Sequence, residues 1–209
     1  MMGVKIGRIP LGNMGTNCYF VYKEDTKDAI VFDPADNGDY LYEKLKDNGI
    51  TVRAIFLTHG HFDHIYGVKK LKELSGAKVY ASADEVDLLE DPHQNVSEMF
   101  GRVVSLKPDE TFNDLDVMDI EGMTFQVLAT PGHTAGSVCF YFKDDNILIA
   151  GDTLFEGSVG RTDFPTGSMK TLVESINSKL MALPDNTRVY PGHGGTTTIG
   201  DERQNNPFI

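Results

Sequence analysis

The run VRAIFLT, residues 52–58, leads directly into HGHFDHIYG. A continuous apolar stretch of that length fits a strand covered on both faces of its sheet. Immediately beyond it His59 and His61 stand two apart, which on extended backbone puts both imidazoles on one side. Asp63 and His64 follow at the turn into a helix, whose apolar face is carried by Ile65, Val68, Leu71 and Leu74 as far as Gly76. Neutral imidazoles beside a carboxylate suit zinc, iron or manganese. Taken alone, the stretch also reads as a solvated histidine-rich loop or as histidines capping the helix, and both readings stand at this point.

The rest of the chain supplies strands and helices in the same order, twice. NCYFVYKED and DAIVFDP read as a hairpin closed around KEDTKD, and a helix fits residues 38–48 with Leu41 and Leu45 on one face. AKVYAS reads as a strand, followed by a helix that opens with Ser82 and Glu85 at capping-box spacing. Residues 91–110 are irregular, a lid or a connection. From Asp116 the strands resume as VMDI, TFQVLAT, SVCFYF and NILIAG. A last helix follows Ser168, with Leu172, Ile176 and Leu180 on one face, and RVYPGHG forms a final strand and turn. This order predicts an α+β fold, two mixed β-sheets packed face to face with helices on the outer faces, formed by residues 1–209 as one domain.

Charge and composition narrow the partners. A formal net charge of −12 repels polyphosphate backbones and anionic lipid headgroups, so neither nucleic acid nor a membrane surface is expected as a partner. The N-terminal residues carry no long apolar segment and no stretch approaches 18 apolar residues, so a cytoplasmic location is expected. Cys18 and Cys139 lie far apart in strand-like surroundings and read as buried, reduced thiols. The sequence assigns no oligomeric state.

Outside the first cluster, His133 in TPGHTAGS and His193 in YPGHGG both sit at strand-to-loop junctions beside glycine, whereas His93, in EDPHQN, reads as a surface residue. Asp152 ends the apolar strand ILIAGD. It can be a turn aspartate accepting backbone N–H bonds, or a carboxylate bridging two cations. Five histidines and two aspartates at strand ends suffice for two ligand sets around a shared oxygen. Arg161 in GRTDF can clamp a substrate carboxylate or equally pair with Asp163 to hold its own loop. Tyr141 and Lys143 are further substrate-binding candidates, and Thr58 and Asp33 are candidates for orienting the histidines from behind.

With Thr58–His64 reading T-H-x-H-x-D-H, followed by His133, Asp152 and His193, the chain resembles the metallo-β-lactamase superfamily. FDP at Asp33, TPGHTAGS, GDTLF and GRTDF resemble its hydroxyacylglutathione hydrolase (glyoxalase II) branch, over about residues 17–193. The resemblance implies an αββα sandwich with metals at one edge. It also implies His59, His61 and His133 on one ion and Asp63, His64 and His193 on a second, with Asp152 between them. Two divalent ions are then expected, zinc first and iron or manganese as alternatives, with Asp63 and Asp152 catalytic alongside a metal-activated hydroxide. A small thioester is the expected substrate, since a thiolate leaves without a general acid. Only 16 residues follow His193, too few for the helical domain that binds glutathione in that branch, and Gly60 stands where many of its members carry another histidine. A mononuclear iron persulfide dioxygenase and a non-catalytic metal-binding module are the competing readings.

Overall fold

In the computed structural model, which describes residues 3–209, strand parity sorts the side chains into three apolar layers. The first sheet contains β1 (Lys5–Leu11), β2 (Thr16–Tyr22), β3 (Asp28–Phe32), β4 (Thr51–Phe56), β5 (Lys78–Ser82) and β6 (Glu110–Phe112), in that spatial order. Its first three strands are antiparallel and the rest run parallel from β3 onward. The second sheet begins with β7 (Val117–Ile120), β8 (Met123–Ala129), β9 (Val138–Phe142) and β10 (Ile147–Gly151). A hairpin of β11 (Leu154–Phe155) and β12 (Ser158–Val159) leaves it, and the chain returns as β13 (Arg188–Pro191) and β14 (Thr197–Thr198) to give the order β14-β13-β10-β9-β8-β7. The helices are α1 (Gly38–Asp47), α2 (Phe62–Ile65), α3 (Val68–Ser75), α4 (Val86–Glu90), α5 (Met169–Ser175) and α6 (Ile199–Asn205).

Alternate residues on each strand face opposite layers. Ile30 and Phe32 of β3, Ala54 and Phe56 of β4, Phe140 and Phe142 of β9 and Ile147 and Ile149 of β10 fill the space between the sheets. Phe32 and Phe140 meet there with ring centroids 5.1 Å apart. Val31 and Ile55, of opposite parity, pack outward against Leu41, Leu45, Val68 and Leu71 of α1 and α3. Cys139, Tyr141, Leu148 and Ala150 pack outward on the other side against Leu172, Ile176, Leu180 and Ile199. The fold is therefore the αββα sandwich expected from the order of elements, and both cysteines are buried and unpaired. Among the described residues no helix is long and apolar enough to cross a membrane.

Four local features differ from expectation. β1, KIGRIPL, was not anticipated because Gly7 and Pro10 both argue against a strand; as an edge strand it tolerates them, and the Phe20 ring lies where a Cβ at Gly7 would be. The helix expected from Ile65 to Gly76 is interrupted at Tyr66 and Gly67, between α2 and α3. The capping box at Ser82 is only half formed: Ser82 Oγ accepts from the Asp84 N–H at 3.2 Å, while the Glu85 carboxylate turns away to other partners. β14 and α6 extend the chain past the last expected turn.

Candidate metal centre

At one edge of the sandwich the loops that leave β4, β8, β10 and β13 converge. His61 occupies the residue before α2 with extended dihedrals, φ −63° and ψ 146°, and Asp63 and His64 enter the helix's single turn. His133 stands in the loop between β8 and β9, Asp152 just past β10 and His193 just past β13. The loops are sewn together by main-chain bonds. The Gly192 N–H donates to Gly151 O at 2.7 Å, the Asn17 N–H to Gly192 O at 2.7 Å, and the Val138 N–H to Thr58 O at 2.9 Å. Side chains add to this, since Asn17 Nδ2 and Tyr19 Oη both donate to Pro191 O and fix the turn that carries His193. A Cβ at Gly192 would collide with Asp152 Oδ1 and lie 2.7 Å from His64 Cε1, so this close approach requires glycine.

All seven residues singled out as ligand candidates come together there, in two groups. His59, His61 and His133 form one, and Asp63, His64 and His193 the other. His61 Nδ1 lies 2.8 Å and His59 Nε2 3.2 Å from His133 Nε2. In the second group His193 Nε2 is 3.2 Å and His64 Nε2 3.9 Å from Asp63 Oδ2. Asp152 stands between the groups, with Oδ1 3.4 Å from His64 Nε2 and Oδ2 3.6 Å from both His133 Nε2 and His193 Nε2.

Bonds behind the rings decide which nitrogens face inward. Asp33 Oδ1 accepts from the Thr58 N–H at 2.8 Å, and its Oδ2 accepts from Thr58 Oγ1 at 2.7 Å and from His64 Nδ1 at 2.9 Å. Because the Thr58 hydroxyl proton is committed to Asp33, its oxygen accepts from His59 Nδ1, 3.1 Å away. His133 Nδ1 donates to the Arg161 carbonyl oxygen at 2.7 Å. In His59, His64 and His133 these bonds engage Nδ1 and turn Nε2 into the cluster. Asp33 holds these bonds at φ +49°, in the left-handed region that aspartate tolerates better than most residues. Asp33, His59 and His64 also lie close enough together to form a third ligand group, but the Asp33 oxygens are taken up by these donors, which makes it an orienting partner.

The arrangement fits bound cations. The lone pairs of His59 Nε2 and His133 Nε2 face each other, while His64 Nε2 and Asp152 Oδ1 are buried without any hydrogen-bond partner. Burial lowers the basicity of His59 and His133, with like-charged neighbours adding to the effect at His59, and burial brings His61 to about 3, so all three are neutral, as ligation requires. In the second group burial opposes ionisation of Asp63, yet His64 and the bonds from His193 and Thr16 bring it down to about 2. Burial likewise disfavours a charged His64, but Asp152, Asp63 and Asp33 outweigh it and push His64 well up. A cation facing His64 Nε2 would meet that same field.

Other candidates lie elsewhere. Arg161 donates from Nε and Nη2 to the two Asp163 oxygens at 2.7 Å each and covers the Phe164 ring at 3.9 Å, so its side chain braces its own loop while its carbonyl orients His133. Tyr141 is buried among the leucines of the outer helical layer, and Lys143 lies in the turn beyond β9. Both are corrections to the expected substrate contacts: β9 starts near His133 and runs away from it, and parity turns Tyr141 to the outer face. His93 is exposed, as expected.

Sequence reasoning missed Glu85. Its carboxylate, 1% exposed, accepts from the Gly60 N–H and Thr134 Oγ1 at 2.8 Å each and from the Gly136 N–H at 2.9 Å. It thereby ties the loop of His59 and His61 to the loop of His133. Burial pushes it up to about 7 in spite of those three donors. Gly60 has no room for a side chain, since a Cβ would lie 2.6 Å from Leu88 Cδ2 and 2.9 Å from Leu89 Cδ2 of α4.

Residues 11–193 match the family model described as the metallo-beta-lactamase superfamily. The chain is 38% identical over 208 residues to the probable metallo-hydrolase YqgX of Bacillus subtilis (strain 168), covering 99% of this chain and 98% of the relative. It is 33% identical over 204 residues to the hydroxyacylglutathione hydrolase GloC of Haemophilus influenzae, covering 96% of each. Among solved structures, BLEG-1 B3 metallo-beta-lactamase superposes with a TM-score of 0.93 at 40% identity, covering 98% of this chain and 99% of that one. TTHA1623 in a di-iron-bound form superposes at 0.85 and 35% identity, covering 97% and 100%.

Proposed function

The chain belongs to the metallo-beta-lactamase superfamily, and from that footing we propose that it is a hydrolase cleaving a small hydroxyacyl thioester at a centre of two divalent metal ions. The observation that carries the proposal is the convergence of six side chains in two groups of three with Asp152 between them. In this reading His59, His61 and His133 hold one ion, Asp63, His64 and His193 the other, and Asp152 reaches both. Zinc suits this mixture of imidazole and carboxylate, with iron or manganese as alternatives; the di-iron form of TTHA1623 supports a pair of ions on a similar scaffold. Such ions supply Lewis acidity toward a carbonyl and lower the pKa of water from about 15.7 toward about 7.

The protein's own groups do the remaining work. Asp33, Thr58 and the Arg161 carbonyl keep the ring nitrogens aimed inward, and Thr16 Oγ1 donates to Asp63 Oδ2 at 2.9 Å, which leaves that carboxylate less freedom to turn. Asp152, with Oδ1 beside His64 and Oδ2 beside His133 and His193, would hold both ions and keep them next to each other. Phe62, Phe100, Phe155 and Phe164 wall the approach with apolar surface. A thiolate, whose thiol has a pKa of about 8.5, leaves such a site without protonation, whereas an amide nitrogen needs an acid; beyond the ligands, Asp33 is taken up by Thr58 and His64 and Asp163 by Arg161. The relationship to GloC, a hydroxyacylglutathione hydrolase, supports the same acyl class. Thiol release from S-lactoylglutathione or a related lactoyl thioester by the metal-loaded protein, abolished in His61→Ala, is the expected result. Metal-loaded protein that turns over no thioester would end this reading.

A further inference from the structure

The approach to the cluster continues sideways. A second cavity adjoins it across the shared wall of Met14, Phe62, Asp63 and Phe100 and runs on to Asp36, Tyr66 and Arg102. Its sides are the β1–β2 turn, carrying Met14, and the irregular segment after α4, carrying Phe100. Both side chains stand half exposed, at 50% and 48%, and Phe100 stacks on Phe62 at 4.2 Å with the planes 22° apart. Large apolar side chains left in water beside a reactive centre mark a surface that a ligand covers.

The charges along this path are already neutralised. Apart from histidines, the cations lining the two cavities are Arg161 and Arg102. Arg161 holds both oxygens of Asp163. Arg102 lies 4.3 Å over the Tyr66 ring and donates to Asp36 Oδ1 at 2.6 Å. Each guanidinium already has a carboxylate partner, Arg161 through two bonds and Arg102 through one, and the chain around them carries a net charge of −12. In the second cavity the Tyr66 hydroxyl is buried without a partner.

We infer that the leaving thiol of the substrate is uncharged and apolar, of aryl or alkyl type, and lies in the groove between Met14 and Phe100. This rests on the thioester reading above and narrows its substrate class. A thiol shaped like glutathione brings two carboxylates, which would compete with Asp36 and Asp163 for the two arginines against an acidic surface. An apolar arm covers Met14, Phe62 and Phe100 and leaves both ion pairs intact.

Two lactoyl thioesters test this, one of benzyl thiol and one of glutathione, with each kcat/KM corrected for the ester's own rate with hydroxide. The expected preference for the benzyl ester is about tenfold or more, the size of discrimination an apolar pocket gives. Phe100→Ser should reduce the ratio of the two values toward one. Asp36→Asn, which frees Arg102, should reduce it by raising turnover of the glutathione ester. Turnover of both esters at equal efficiency, or a preference for glutathione, overturns the inference and leaves the hydrolase reading standing. Failure to cleave either ester overturns both.

Discussion

Replacing Glu85 by glutamine keeps the side-chain shape and removes a charge that is 1% exposed. In the wild-type protein without metal, burial holds the Glu85 carboxyl at about 7 against an ordinary 4.5. A folded-state value above the unfolded one means that the folded chain binds the proton more tightly. Stability from this group is therefore fully present below pH 4.5 and is lost as the pH rises toward 7. At about 1.36 kcal/mol per unit, the loss comes to about 3 kcal/mol. Glutamine does not titrate, but its Nε2 has no lone pair for the Gly136 N–H, so the substitution carries a cost that does not vary with pH. Denaturant unfolding in the presence of chelator should therefore find Glu85→Gln gaining about 3 kcal/mol on the wild type between pH 4.5 and pH 8. The same variant should bind metal less tightly at the His59, His61 and His133 group, by roughly 10–100-fold, because its amide confronts the Gly136 N–H that Oε2 accepts in the wild type. If the stability difference does not change with pH, the three donors outweigh burial and the reasoning fails.

Asp33→Asn removes the carboxylate that orients His64 and Thr58, and metal affinity at the Asp63, His64 and His193 group should fall by roughly 10–100-fold while the other group is less affected; titration of the two sites in the variant checks this. Gly192→Ala should lose both metal binding and thioester turnover, since the added methyl collides with Asp152 Oδ1, and near-wild-type values for both would refute the close-packing argument. Lys143→Ala should leave kcat/KM for any lactoyl thioester unchanged, as the residue lies in the turn at the far end of β9.

Much of the site was legible because its candidate ligands sit where strands stop. Thr58 to His64 follow a buried strand, and His133, Asp152 and His193 each stand beside a glycine or a strand end that sequence marks clearly. Asp33 and Thr58 could be picked out for the same reason, and both orient histidines. Tyr141 shows the limit: SVCFYF is buried on both faces, so no polar alternation tells which residues face the second sheet and which face the helices. β1 was hidden because an edge strand can carry Gly7 and Pro10, which would break a central one. Glu85 stood at capping-box spacing from Ser82, and only the three-dimensional approach of Gly60, Thr134 and Gly136 shows where its carboxylate goes. Arg161 offered two readings, and Asp163, two residues away, took the side chain.

Metal content and thioester turnover measured on one preparation decide whether the chain is a binuclear thioester hydrolase. That assignment requires two divalent ions per chain, with lactoyl-thioester cleavage that disappears on chelation and returns when both sites are refilled. One iron per chain, with oxygen consumed on a persulfide and no thioester cleaved, would contradict it.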